Sequence, residues 1–262
     1  MNRTMQKIKE SFTGCDDSWS AALLQNSLPN QEEKKERTQG KKAVCFGDSI
    51  TWYDCHVYNW GKEAGKTAYG FESYLRKNGW IVQNEGISNA TIREIRDRIL
   101  KIDIQHFDCI LLTSGANDSR FNVPTGSLLP RASAFDTATF MGCLQSSIEY
   151  IQTINSAARI ILMTPLNGWI YAPDGYEYPR EISGRVEERF TDAILQAGAM
   201  YGCSVCDWYH GIEMDEHTRP RMINDPEPDF QSAHNPNPLY SLHPSTEGYQ
   251  IMSELLIDTM KM

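Results

Sequence analysis

Five short apolar runs alternate with longer segments of helical hydrophobic spacing, and this alternation constrains the fold more than any other feature. The runs are Ala43–Phe46, Trp80–Gln83, Cys109–Thr113, Arg159–Met163 and Ser204–Cys206. Each is bounded by polar or glycine residues, as strands buried on both faces of a parallel sheet are. Helices are predicted between them, near Gly70–Lys77, Thr91–Ile102, Thr139–Ile154 and Arg185–Tyr201. In the second of these, Ile92, Ile95, Ile99 and Leu100 recur on one face, opposite Arg93, Glu94, Arg96, Asp97 and Arg98. A last helix is predicted after Pro244-Ser245, with Ser245 as its N-cap and Ile251, Met252, Leu255 and Leu256 at helical spacing. Strand–helix alternation predicts an α/β domain with a doubly wound parallel sheet and helices on both faces. Ligands of such sheets sit beyond the carboxyl ends of the strands, so the polar residues after each strand are the first candidates for function.

The chain has 262 residues and a formal net charge of -9, a balance that repels nucleic-acid phosphate and anionic lipid surfaces. No apolar run is long enough to cross a bilayer, and a cytoplasmic location is expected. Seven cysteines leave at least one without an intramolecular partner, which favours free, mostly buried thiols. Cys203 and Cys206 have CxxC spacing but share a predicted strand, where residues three apart face opposite sides; a redox or metal pair is not expected. Residues 1–40 read as a separate polar arm or leader, and 41–262 as the folded domain. In the arm, QEEKKERTQGKK should be solvated, whereas Trp19, Leu23 and Leu24 could dock on the domain or on another subunit of a homo-oligomer. Asn167–Ser183 and Tyr209–Tyr240 are long and irregular, which suggests binding loops or a lid.

Four blocks carry chemistry. The first strand is followed by Gly47-Asp48-Ser49-Ile50-Thr51, the second by Asn84-Glu85-Gly86-Ile87-Ser88 and the third by Ser114-Gly115-Ala116-Asn117-Asp118. Leu242-His243-Pro244-Ser245 opens the last helix. Each block alone has an ordinary structural reading: a capping serine, a turn glycine, an Asx turn, a surface histidine. Together they can meet at one rim of the sheet, where a serine hydroxyl, an imidazole base and two N–H donors suffice for acyl transfer. Gly61-Lys-Glu-Ala-Gly-Lys-Thr67 has one residue too few between its glycines for a phosphate loop and lacks a preceding apolar strand. His210 and His217 lack the spacing of a metal motif, so no metal is expected.

This constellation resembles the SGNH, or GDSL, hydrolase family over about residues 43–262. The resemblance implies a three-layer α/β/α sandwich with a five-stranded parallel, flavodoxin-like sheet. It implies Ser49 as nucleophile, His243 as base, and an oxyanion hole from Ser49, Gly86 and Asn117, with no metal or organic cofactor. The expected reaction is hydrolysis of a small acyl ester, on a small molecule or an acylated carbohydrate; transfer of the acyl group to an alcohol is the alternative. Thr51, Trp52, Trp169 and Tyr240 are candidates for substrate contact, being aromatic or close to the nucleophile. One position departs from the family pattern, since Tyr240 stands where an aspartate usually precedes the histidine by three residues. Three readings follow from that. His243 could be oriented by a backbone carbonyl or water, a substitute acid (Asp207, or Asp225 or Asp229) could serve, or the fold could now bind without cleaving.

Overall fold

The computed structural model describes residues 40–171, 184–215, 217–225 and 239–261. All but the last residue of the expected polar arm lies outside them, as does Asp229. The strands are β1 (Lys42–Phe46), β2 (Ile81–Asn84), β3 (Cys109–Thr113), β4 (Arg159–Met163), β5 (Trp169–Tyr171), β6 (Gly184–Arg185), β7 (Ser204–Cys206) and β8 (Leu239–Ser241). Helices α1 (Ser49–Trp52), α2 (Phe71–Lys77) and α3 (Ile92–Ile99) precede α4 (Ala116–Arg120), α5 (Phe140–Ile154) and α6 (Glu188–Tyr201). Helices α7 (Trp208–Gly211), α8 (Arg219–Met222) and α9 (Thr246–Lys261) follow.

The main sheet has five parallel strands in the order β2-β1-β3-β4-β7, the flavodoxin-like arrangement. Successive side chains of a strand point to opposite faces, so each strand feeds two cores. Ala43, Cys45, Leu111, Ile161 and Met163 pack with Phe71 and Leu75 of α2 and Tyr249, Met252 and Leu256 of α9. Val44, Phe46, Ile110, Leu112 and Leu162 pack on the other side with α3, α5 and α6, through residues such as Ile95, Leu144 and Ile194. The result is a three-layer α/β/α sandwich.

Two features differ from the sequence reading for a physical reason. Helix α6 begins at Glu188 because Gly184 and Arg185 are committed to antiparallel pairing with Ile170 and Trp169. The two stretches expected to be irregular also contribute a second sheet of order β6-β5-β8. Its strands have two or three residues, too few for an alternating pattern to register. Cys45, Cys109, Cys143, Cys203 and Cys206 are free thiols as expected, but Cys55 is disulfide-bonded. Among the described residues no helix is long and apolar enough to cross a membrane.

The chain around His243 is fixed by a short antiparallel contact with the end of α8. Asn224 N–H donates to the His243 carbonyl at 2.8 Å, Ser245 N–H donates to the Met222 carbonyl at 2.8 Å, and Ile223 bridges Pro244. Ser245 caps α9, its Oγ accepting from Gly248 N–H at 3.0 Å while donating to the Arg221 carbonyl. Ser245→Ala removes the cap and the tether together. We expect it to lower unfolding free energy in urea by about 1–2 kcal/mol, the upper range for a lost N-cap; no measurable change would contradict the capping assignment.

Candidate active site

Ser49 stands at the start of α1, immediately beyond the carboxyl end of β1. Asp48 caps that helix by accepting from Ile50 N–H at 2.9 Å. Burial pushes the Asp48 carboxyl up to about 6 against the opposing pull of this hydrogen bond. The tight turn requires glycine at 47, since a Cβ there would lie 2.1 Å from Thr51 Oγ1.

The Ser49 hydroxyl lies 3.0 Å from His243 Nε2 although 194 residues separate them in sequence. Two buried tyrosine hydroxyls tie their flanks together. Tyr249 of α9 donates to the Ile50 carbonyl at 2.6 Å, and Tyr58 donates to the Pro244 carbonyl at 2.7 Å. On its other side, His243 Nδ1 lies 2.9 Å from Asp225 Oδ1. The second oxygen of Asp225 accepts from the backbone N–H groups of Leu242 at 2.8 Å and His243 at 2.9 Å. The carboxylate is thus buried with both of its oxygens hydrogen-bonded, as a buried charge must be. Burial disfavours the imidazolium, but the Asp225 charge and hydrogen bond, helped by Asp48, outweigh it and raise the His243 pKa above its ordinary value. Arg120 acts in the opposite direction.

Asp225 therefore occupies the place that Tyr240 leaves vacant in the family pattern. Asp207, the substitute acid favoured on sequence, is committed elsewhere. It caps α7 and its oxygens engage Thr164 Oγ1 at 3.1 Å and His210 Nδ1 at 2.8 Å. His210 also meets Glu188 at 2.9 Å, and among the described residues no group of three or more His, Cys, Asp or Glu could hold a metal.

Asn117 lies in the first turn of α4, buried beside the site, and one N–H of its amide donates to the Ala90 carbonyl at 3.0 Å. An amide nitrogen carries two hydrogens, so one remains for another acceptor. Asp118 holds this corner together by accepting from Gly115 N–H and Ile92 N–H, both at 3.1 Å, and burial pushes its carboxyl up to about 7.

Gly86 departs from expectation. Its N–H is turned onto Asn84 Oδ1 at 2.8 Å, so it is not presented to the site. Glycine is needed there because the chain runs against α1, where a Cβ would approach Trp52 N to 2.4 Å. Within that loop the residues beside the site are Ser88 and Asn89, the latter at φ 69°. Thr51 also departs, being fully buried above Gly47 with no route to a ligand. Trp52 is half-buried, its ring stacked on His56 at 4.0 Å and not lining the site cavity. The side chains of Trp169 and Tyr240 lie outside the described residues; only their backbone pairing in β5 and β8 is described.

A cavity of about 250 Å³ joins Ser49, Asn117 and His243. Tyr53 and Trp60 form one wall, where each ring meets the His243 imidazole edge-on, with centroids 5.5 and 5.1 Å away. Ser88, Asn89, Arg120 and Leu242 are the other described residues that line it. Sequence reasoning passed over Trp60 and Arg120. Arg120 was open to detection, since it lies three residues beyond Asn117 and so on the same helical face.

A hydroxyl, imidazole and carboxylate joined in series beside an amide donor can activate the hydroxyl toward a carbonyl carbon. Residues 45–251 match the GDSL-like Lipase/Acylhydrolase family, and the chain belongs to that family of hydrolases. Among solved structures it is similar to one titled a possible lipase from Chitinophaga pinensis, at 21% identity and TM-score 0.62, covering 84% of this chain and 97% of that one. A protein from Lactobacillus plantarum superposes at 20% identity and TM-score 0.60, covering 86% and 98% of the two chains. A mutant acetyl-xylooligosaccharide esterase from Geobacillus stearmophilus gives 18% identity and TM-score 0.53, covering 86% and 96%. No curated protein matches the sequence.

The electrostatics predict how His243 titrates. Followed by NMR of its imidazole, the midpoint should lie above the ordinary value of 6.5. In Asp225→Asn it should fall, because burial then acts with less opposition. A midpoint that the substitution leaves in place would contradict the pairing.

Proposed function

We propose that this protein is a serine carboxylic-ester hydrolase that removes a small acyl group from an acylated carbohydrate. The observation that carries the proposal is the unbroken series Ser49 Oγ, His243 Nε2, His243 Nδ1 and Asp225 Oδ1, with contacts of 3.0 and 2.9 Å. In this reading Ser49 Oγ attacks the ester carbonyl as His243 takes its proton. The new C–O bond leaves an oxyanion, which the Ser49 N–H and the second amide hydrogen of Asn117 stabilise. Ser88 and Asn89, not Gly86, are the lining residues of the neighbouring loop, and any third donor would come from them.

Collapse of the intermediate breaks the bond to the alcohol, which leaves with the proton from His243. Water then attacks the acyl-enzyme, His243 again taking a proton, and the acid departs as Ser49 is restored. Asp225 holds the imidazole with Nε2 facing serine and stabilises the imidazolium formed in each half.

A cavity of about 250 Å³ suits a short acyl group better than a long chain. The Tyr53 and Trp60 rings offer the flat apolar faces on which sugars stack. The acetyl-xylooligosaccharide esterase among the similar folds is consistent with this substrate class. The Asp225 carboxylate weighs against reading the fold as a degraded binding protein, so far as that reading rested on the missing acid at 240.

The test is release of p-nitrophenol from p-nitrophenyl acetate. Wild-type protein should turn over, and Ser49→Ala should not. Asp225→Asn should lose roughly a thousand- to ten-thousand-fold in turnover, the scale seen when a triad aspartate is neutralised. Asp207→Asn should stay within a few-fold of wild type. Equal release from wild type and Ser49→Ala would refute the proposal.

A further inference from the structure

Between α1 and α2 the chain forms a loop closed by an antiparallel bridge between Val57 and Thr67. The loop carries Trp60 to the wall of the site cavity, where the indole Nε1 donates to the Tyr53 hydroxyl at 2.8 Å. Its tip is fastened to the segment that carries Asp225, and one fully buried residue, Asn224, makes the joint. Asn224 Nδ2 donates to the Trp60 carbonyl at 3.1 Å, and Oδ1 accepts from Glu63 N–H at 2.7 Å. The Asn224 carbonyl accepts from Lys62 N–H at 2.8 Å, while its own N–H donates to the His243 carbonyl at 2.8 Å.

The joint is close-fitting. Gly61 has φ 88°, and a Cβ there would lie 2.4 Å from the Asn224 carbonyl oxygen and 2.6 Å from Nδ2. Beside it, Glu63 Oε2 accepts from Thr246 N–H at 2.8 Å and Thr246 Oγ1 at 2.9 Å, at the start of α9. An amide answers a carbonyl and an N–H of the same loop because it both donates and accepts. It does so without adding a second charge beside buried Asp225. Consecutive Cα atoms are held about 3.8 Å apart by a planar peptide, so a displacement of Asn224 passes to Asp225 almost undiminished. The 2.9 Å contact between Asp225 Oδ1 and His243 Nδ1 tolerates only small displacements.

We propose that Asn224 is a positioning residue, which holds Asp225 in register with His243 Nδ1 by locking its segment to the Trp60 loop. The inference rests on the ester-hydrolase reading of the same site. It adds that the aromatic wall of the cavity and the acid behind the histidine form one unit, joined through a single buried amide.

Three full-length variants separate this role from a merely structural one. Asn224→Ala removes both side-chain hydrogen bonds, and Gly61→Ala pushes on the same amide from the loop side. Gly65→Ala is the control: its φ of 85° strains the same loop, but no atom lies within 4 Å of the new Cβ. Each is followed by NMR of the His243 imidazole, by kcat and KM for p-nitrophenyl acetate, and by thermal melting. Burial and Arg120 lower the His243 midpoint while Asp225 and Asp48 raise it, and the Asp225 contribution is the one that should change. In Asn224→Ala and Gly61→Ala the midpoint should fall toward that of Asp225→Asn. Their kcat should drop on the order of ten- to a hundredfold, as misplacement of a catalytic group does, with a smaller change in KM.

Gly65→Ala should keep the wild-type midpoint and kcat even if it melts lower. Wild-type midpoints and kcat in Asn224→Ala and Gly61→Ala, however far their melting temperatures fall, would overturn the proposal. Equal losses in Gly65→Ala would overturn it too. If one of the first two variants does not fold the other decides, and Asn224→Ser, with a shorter polar side chain, replaces them if neither does. Failure of wild type to cleave the ester would sink the hydrolase reading instead. The NMR midpoint needs no turnover, so it still decides whether Asn224 sets the pair.

Discussion

The site depends on one buried contact, the carboxylate of Asp225 against Nδ1 of His243. That carboxylate is held by two backbone N–H groups as well as the imidazole, so its position follows from main-chain geometry. The main chain is in turn fixed by the pairing of residues 222–224 with 243–245, which docks the end of α8 against the start of α9. An acid eighteen residues upstream of the histidine thereby reaches the same ring nitrogen that a nearer one would. Without it, a buried imidazole would lose the charge that favours its protonated form.

Much of the fold was legible because buried parallel strands and amphipathic helices leave periodic signatures. The five core strands lie within a residue of their expected positions, and Ile92, Ile95 and Ile99 face the core as their spacing implies. Ser245 caps the last helix as its place before Thr246 suggests. The second sheet left no such trace, because Gly184–Arg185 and Leu239–Ser241 are too short to show alternation.

The site was legible in its residue types and less so in its partners. Ser49, Asn117 and His243 converge, since each follows a strand or opens a helix at one rim of the sheet. Asp225 was one of several acids in a long irregular segment, and local sequence carries no sign of which one a distant backbone pairing delivers. The glycine at 86 was visible, but its cause was not. It makes room for the backbone of Trp52, and its N–H is taken by Asn84. Thr51 likewise looked well placed for a ligand by sequence distance alone, yet its side chain fills the space above Gly47.

We propose that Asp225, acting through His243, makes Ser49 a nucleophile. The most direct test is the rate at which a fluorophosphonate probe labels the protein, with the modified residue mapped by mass spectrometry. Wild type should acquire a single adduct on Ser49, and Asp225→Asn should acquire it orders of magnitude more slowly while remaining folded. Labelling at another residue, or at Ser49 with the same rate in both proteins, would contradict the claim.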